Sequence, residues 1–95
     1  MSTPIELAAI AWLAADDAYE RAQQAAIDLA CKGRAVSDAE GPQAVPQSHK
    51  DALEQAYAVN REAFIARGNA LRALTSAIRA QTAEPKPEPL QAETV

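Results

Sequence analysis

Apolar residues recur every three or four positions through the first third of the chain. They are Ile5, Ala8, Trp12, Ala15, Tyr19, Ala22, Ala26 and Leu29. This spacing is that of one face of an α-helix. Thr3, Pro4 and Glu6 carry the pattern of a capped helix start, and Gly33 is typical of a helix end. The pattern therefore predicts a first helix over residues 4–32.

The rest of the chain divides into a loop, a second helix and a tail. Residues 33–47 hold two glycines and two prolines without a sustained period, which predicts a loop. Ser48 with Asp51 three positions later predicts an N-cap, and helical periodicity follows over residues 48–82. Residues 83–95 are acidic and proline-rich, and we expect them to be disordered.

The second helix has two apolar seams rather than one. The seam of large residues consists of Leu53, Tyr57, Asn60, Phe64, Arg67, Leu71, Leu74 and Ile78. The seam of small residues consists of Ala52, Ala56, Val59, Ala63, Ala66, Ala70, Ala73, Ala77 and Ala80. Two adjacent seams predict two packing partners, namely the first helix and another copy of the chain. The predicted fold is all-α: a single domain of residues 1–82, an antiparallel helical hairpin that assembles into a helical homo-oligomer.

Composition narrows the classes of function. The formal net charge of −4 argues against a duplex nucleic acid partner, because such affinity needs many cationic contacts to phosphates. Glu6, Asp16 and Asp17 interrupt and follow the longest apolar stretch, so no membrane span is predicted. A lone cysteine, Cys31, excludes an internal disulfide and fits a reducing cytoplasm.

The titratable residues do not form a catalytic pattern. His49 falls in the predicted cap of the second helix, where we expect an exposed side chain. Asp16 and Asp17 are adjacent, so they point about 100° apart on a helix, which suits neither a carboxylate pair nor a metal site. Cys31 sits near a predicted helix C-terminus, which disfavours a thiolate. We expect no enzyme activity, no metal and no cofactor.

Four arginines of the second helix are the best candidates for a site. Arg61, Arg72 and Arg79 lie along one stripe, separated by 11 and 7 residues. One interpretation pairs them with the carboxylates of residues 1–30, and another leaves them for an external anion. Gly68 lies on the same stripe, where a glycine costs about 1 kcal/mol relative to alanine, so its small size should serve a contact.

Arg67 differs because it occupies the large seam, seven residues after Asn60. These polar groups could meet carboxylates of the first helix or fix the register between protomers. A third interpretation is a pocket in which several copies of Arg67 converge on one anion, since the guanidinium fork binds phosphate bidentately and stacks on bases. Trp12 and Tyr19 are either core anchors or stacking faces for nucleobases. Lys32 could neutralise a phosphate or offset the helix dipole.

The segments "ELAAIAWLAADDAYERA" and "AYAVNREAFIARGNALRAL", with the overall size, resemble a family of small phage proteins. These proteins defeat CBASS, the cyclic-oligonucleotide-based antiphage signalling system, by sequestering its messenger. The resemblance covers most of residues 4–80 and implies a compact helical protomer assembled as a hexamer. It further implies that cyclic dinucleotides bind through an aromatic residue of the first helix, here Trp12 or alternatively Tyr19, and through a lysine, here Lys32.

The resemblance implies a separate site for cyclic trinucleotides. Its arginine corresponds to Arg67, and its hydroxyl residue to Ser76 or the neighbouring Thr75. The implied function is non-enzymatic sequestration of cyclic di- and trinucleotides in the cytoplasm of the host bacterium. The alternative hypothesis is a phage helical-hairpin protein that binds and inhibits a host protein.

Overall fold

The protein folds into two long helices joined by a short turn. The computed structural model describes residues 2–83, so most of the predicted tail lies outside the described residues. Helix α1 spans Pro4–Glu40, a 3₁₀ turn spans Pro42–Ala44, and helix α2 spans Gln47–Ala83. The two helices pack against each other as an antiparallel hairpin, and residues 2–83 contain no strand. The all-α hairpin predicted from the sequence is confirmed.

The start of α1 is built as its sequence predicts. The backbone N–H of Glu6 donates to the Thr3 hydroxyl at 3.1 Å, and the N–H of Thr3 donates to Glu6 Oε1 at 2.9 Å. Pro4 occupies the first turn, where a missing N–H leaves no helical hydrogen bond unmade. These reciprocal bonds form a capping box and fix where the hairpin begins.

The end of α1 differs from the prediction. The helix continues through Gly33 to Glu40, so much of the predicted 33–47 loop is helical. The helix ends at Gly41, whose φ of +98° favours glycine and whose N–H donates to the backbone oxygen of Ser37. Gly33 instead allows the ring of His49 to approach the backbone of α1, because a Cβ at this position would lie 2.8 Å from Nε2 of His49.

The start of α2 is one residue earlier than predicted. The helix begins at Gln47, directly after Pro46, whose carbonyl accepts bonds from the backbone N–H groups of His49 and Lys50. Ser48 is therefore inside the helix, and its role as N-cap is not observed. Asp51 instead accepts a side-chain bond from Gln47.

The packing seam of α1 is the predicted one. All eight residues of the apolar pattern are buried or half-buried, and Ala26, at 5% exposure, is the one fully buried residue among residues 2–83. The α2 surface that faces α1 combines members of both predicted seams. Its half-buried residues are Leu53, Ala56, Asn60, Ala63, Arg67, Ala70, Leu74 and Ala77.

The other half of the predicted large seam is left exposed. Tyr57, Phe64, Leu71 and Ile78 recur every seven residues and are 46%, 55%, 49% and 42% exposed. Alternation of alanine with larger residues on the inner surface lets two helices approach closely, but two helices alone enclose little core. None of the described helices carries a stretch apolar enough to cross a membrane.

Candidate functional site

A cluster of charged and aromatic side chains joins the middle of the two helices, and we call it the Arg67 cluster. It consists of Asp16 and Tyr19 from α1 and Phe64 and Arg67 from α2. Nη1 of Arg67 donates to Oδ1 of Asp16 at 3.1 Å. The guanidinium carbon lies 4.2 Å from the centre of the Tyr19 ring and 5.8 Å from that of Phe64. The two rings are 5.8 Å apart and tilted by 54°.

The helical repeat brings these residues together. Asp16 and Tyr19 are three positions apart on α1, and Phe64 and Arg67 are three apart on α2, so each pair shares a helix face. The antiparallel register then sets the two pairs against each other. An arginine over aromatic rings is attracted by the ring quadrupole, so Tyr19 and Phe64 hold the guanidinium in one orientation.

The Arg67 cluster is open to solvent on one side. The side chain of Arg67 is 33% exposed and that of Asp16 is 25% exposed. Of the five N–H donors of the guanidinium, one is directed at Asp16. The free donors can bind an anion, although the Asp16 carboxylate reduces the positive potential that attracts it.

The other three arginines of α2 do not pair with α1. Arg67–Asp16 is the one ion pair within residues 2–83, so the predicted pairing of Arg61, Arg72 and Arg79 with α1 carboxylates is not found in the hairpin. Arg72 donates instead to the side-chain oxygen of Asn69. All three side chains are exposed.

Gly68 has no contact in the hairpin that requires a glycine. A Cβ built there would meet only Nη1 of Arg72 at 3.9 Å, an ordinary van der Waals separation. The contact that the small size of Gly68 was expected to serve is therefore not found within residues 2–83.

Asn60 completes the polar part of the inner surface. It lies two turns before Arg67, and its Nδ2 is buried without a hydrogen-bond partner in the described chain. An unmade hydrogen bond on a buried amide costs about 1 to 3 kcal/mol, so Asn60 makes the inner surface less favourable than an apolar residue of similar size would.

The structure does not bring all six predicted ligand-binding residues together. Tyr19 and Arg67 are in contact, and half-buried Trp12 lies about 10 Å along α1 from Tyr19 on the same seam. Lys32 is exposed about 20 Å along the axis from Tyr19, too far to share a ligand with it in one chain. A site that uses both residues needs a second copy.

The two hydroxyl residues are also separated from Arg67. Thr75 lies about 12 Å along α2, and its hydroxyl donates to the backbone oxygen of Leu71 at 2.9 Å. Ser76 is exposed and, at nine residues from Arg67, points to the opposite side of the helix. Arg67 and Ser76 of one chain therefore cannot contact the same small ligand.

Sequence reasoning missed the role of His49. Rather than an exposed cap residue, His49 is half-buried, and its Nε2 lies 2.8 Å from the backbone oxygen of Leu29. The ring occupies the space above Gly33. The sequence feature that could have indicated this contact is the pair of Gly33 and His49, which lie 16 residues apart on either side of the predicted loop. Residues 2–83 contain no group of three His, Cys, Asp or Glu side chains placed to hold a metal ion.

We compared the chain with models of known protein families, with curated proteins and with solved structures, and no significant match was found in any of the three.

Proposed function

We propose that the protein is a non-enzymatic, homo-oligomeric binding protein that sequesters cyclic di- and trinucleotide second messengers, and so blocks CBASS immunity in the bacterial host. The observation that carries this proposal is the stacked pair of Arg67 and Tyr19 on an open side of the hairpin. An oriented guanidinium with unused donors suits a phosphodiester, and an adjoining aromatic surface suits a base.

The proposal requires ligands to bind between copies of the chain. Lys32 and Ser76 are too far from the Arg67 cluster to join it within one protomer. In an assembly of several chains, each copy contributes one guanidinium, and copies that converge on a ring-shaped ligand supply several donors at once. A ligand enclosed in this way dissociates slowly, which is what sequestration without turnover requires.

Asp16 already occupies one donor of Arg67, and this affects how an anion can bind there. A phosphate competes with the Asp16 carboxylate for Arg67, so the anion binds to the donors that Asp16 leaves free or displaces it. Neutralising Asp16 removes this competition. The Asp16→Asn variant should therefore bind cyclic nucleotides at least as tightly as the native chain, whereas Arg67→Ala should lose binding.

The test is isothermal titration calorimetry with a cyclic dinucleotide and, separately, a cyclic trinucleotide. We compare the native chain with Arg67→Ala, Arg67→Lys and the control Arg21→Ala, which removes an exposed arginine of α1. Loss of binding in Arg67→Ala alone, with weaker binding in Arg67→Lys, supports the proposal, since lysine keeps the charge but not the fork. Absence of binding by the native chain to either messenger contradicts it.

One observation favours a second candidate function, the binding and inhibition of a host protein. Leu7, Ile10 and Leu13 of α1 are 55 to 61% exposed, and Ile65 of α2 is 60% exposed. Apolar side chains in such numbers on a small protein are typical of an interaction surface. The two functions are separated by the same titration, because a protein-binding hairpin has no affinity for the nucleotides.

A further inference from the structure

The hairpin carries charges of opposite sign along its two outer edges. Residues 5–30 of α1 hold five acidic residues and one arginine, whereas residues 57–80 of α2 hold four arginines and one glutamate. Apart from Asp16 and Arg67, these side chains are exposed and belong to no ion pair within the described chain. On a helical wheel, the exposed ones lie more than about 100° from the inner seam of their own helix. The acidic edge of α1 and the basic edge of α2 therefore point away from each other and cannot pair within one copy.

Two contacts fix which residues of the two helices lie at the same level along the hairpin. Asp16 meets Arg67, and Tyr19 meets Phe64. Three residues forward on α1 are thus matched by three residues back on α2, as expected for antiparallel helices of equal rise. The same rule gives the level of each residue on the outer edges.

The one arginine of the acidic edge is level with the one glutamate of the basic edge. They are Arg21 and Glu62, which lie five residues forward of the ion pair on α1 and five residues back from it on α2. Glu20 and Arg61 precede them in the sequence, and these two residues lie within about 3 Å of one level. Each edge thus carries a charge of the opposite sign at the level where the other edge does, including the exceptional residue of each edge. This match favours a contact between the two edges, which only separate copies can make.

We infer that the outer edge of α2 packs, without a shift in level, against the outer edge of α1 of a second copy, and that repetition of this contact closes a ring of three or more copies. Rotation about an axis parallel to the hairpin leaves every residue at its own level, so a closed ring keeps the register of the hairpin itself. The contact is heterologous, since it joins two different edges. A bundle of two copies would place the neighbours of each helix about 90° apart, whereas the edge charges lie further from the inner seam.

Both charge pairs fall on matching sides of this contact. Viewed from one end of the hairpin, positions advance in opposite rotational senses around two antiparallel helices. Arg61 and Glu20 therefore flank the contact on the side where Phe64 is exposed, and Glu62 and Arg21 flank it on the other side. A contact of α2 with α2 would instead set arginines against arginines, and a contact of α1 with α1 would set carboxylates against carboxylates. Electrostatic complementarity selects the mixed contact.

The same register supplies the contact that Gly68 lacks in the hairpin. Leu13 is 55% exposed, lies within about 3 Å of the level of Gly68 and occupies the same side of the contact. The absent side chain at Gly68 makes room for Leu13 of the next copy. Glu6 and Arg79, near the open end of the hairpin, also lie within about 3 Å of one level.

Exchange of neighbouring charges tests this register without a change in net charge. The basic-edge variant carries Arg61→Glu and Glu62→Arg, the acidic-edge variant carries Glu20→Arg and Arg21→Glu, and the matched control carries all four substitutions. All four side chains are exposed and outside the ion pair of the hairpin, so each variant should remain helical by circular dichroism. Loss of a single exposed pair weakens association only a few-fold, which is why charges are exchanged rather than removed.

A fifth protein, Gly68→Leu, tests the register independently of charge. The space beside Gly68 is open in the hairpin, so a leucine there should leave the fold intact and obstruct only the neighbouring copy.

The readout is the mass of each protein by size exclusion with light scattering at low ionic strength and without nucleotide. We expect a native assembly of three or more copies, association at least tenfold weaker in the basic-edge variant, the acidic-edge variant and Gly68→Leu, and native association in the variant with all four substitutions. A native chain of one or two copies, weakened variants that associate as the native chain does, or a fourfold variant that fails to recover would each overturn the inference. It does not depend on nucleotide binding, so a native ring that binds no cyclic nucleotide contradicts the proposed function alone.

Discussion

Arg67 on α2 and Asp16 on α1 are joined by a 3.1 Å ion pair across the middle of the hairpin, and they are the one oppositely charged pair that the described chain satisfies internally. The same guanidinium lies over the ring of Tyr19. A residue that could serve ligand binding thus also holds the two helices in register. Substitutions must be designed to separate these two roles.

The stabilising role of this pair should be small. Both side chains are a quarter to a third exposed, and exposed ion pairs contribute about 0 to 1 kcal/mol. We predict that Asp16→Asn lowers the free energy of unfolding by less than about 1 kcal/mol. Arg67→Ala should lower it by about 1 to 2 kcal/mol, because it also removes the stacking on Tyr19. Urea denaturation followed by circular dichroism measures both changes, and a loss above about 3 kcal/mol in Asp16→Asn would show that the pair acts as a buried one.

His49 and Gly33 should be energetically coupled. In the native chain, Gly33→Ala places a Cβ 2.8 Å from the His49 ring, so the gain of about 1 kcal/mol in helix propensity is offset by loss of the bond to Leu29. In a His49→Ala background the same substitution should stabilise by about 1 kcal/mol. A double-mutant cycle in urea measures the coupling. Equal effects of Gly33→Ala in the two backgrounds would show that the close approach does not matter.

Tyr19 should contribute to nucleotide affinity through its ring rather than its hydroxyl. We predict that Tyr19→Phe keeps affinity within about twofold, since stacking needs the ring alone. Tyr19→Ala should weaken binding by roughly tenfold, a loss of 1 to 3 kcal/mol being typical of a stacked base. Calorimetric titration with a cyclic trinucleotide distinguishes the two variants. An equal loss in both would assign the effect to the hydroxyl.

Association of the chain should weaken with salt. Exposed carboxylates of α1 and exposed arginines of α2 attract each other between associating copies, and the Debye length falls from about 10 Å at 0.1 M to about 3 Å at 1 M salt. We expect the apparent dissociation constant of the oligomer to rise severalfold over that range. Sedimentation velocity at several salt concentrations measures it. Association that strengthens with salt would indicate an interface dominated by exposed apolar residues such as Tyr57, Phe64, Leu71 and Ile78.

The sequence predicted the hairpin and its α1 seam because periodicity reports directly which face of a helix is buried. The start of α1 was also predictable, since Thr3 and Glu6 form hydrogen bonds with each other within the first turn. The predicted end of α1 is wrong because Gly33 makes room for the ring of His49, 16 positions away in the sequence. Rules based on neighbouring residues instead interpret a glycine after a lysine as a helix cap.

The surface that α2 turns to α1 was also only half predicted. Leu53 and Leu74 face α1 as expected, but Phe64 and Leu71 lie at its edge and are half exposed. Adjacent seams differ by a fraction of a turn, so a small rotation of α2 about its axis decides which of them faces α1. The sequence indicated which residues could form a site but not which of them are in contact. The contact of Asp16 with Arg67 depends on the register between the two helices, which local patterns do not report.

The most direct test of the proposed function is native mass spectrometry of the purified protein, alone and after addition of a cyclic dinucleotide and a cyclic trinucleotide, for the native chain, Arg67→Ala and the control Arg21→Ala. The proposal predicts a closed oligomer that gains the mass of intact nucleotides in the native chain and in Arg21→Ala but not in Arg67→Ala. An oligomer whose mass stays unchanged at micromolar concentrations of either nucleotide would contradict it.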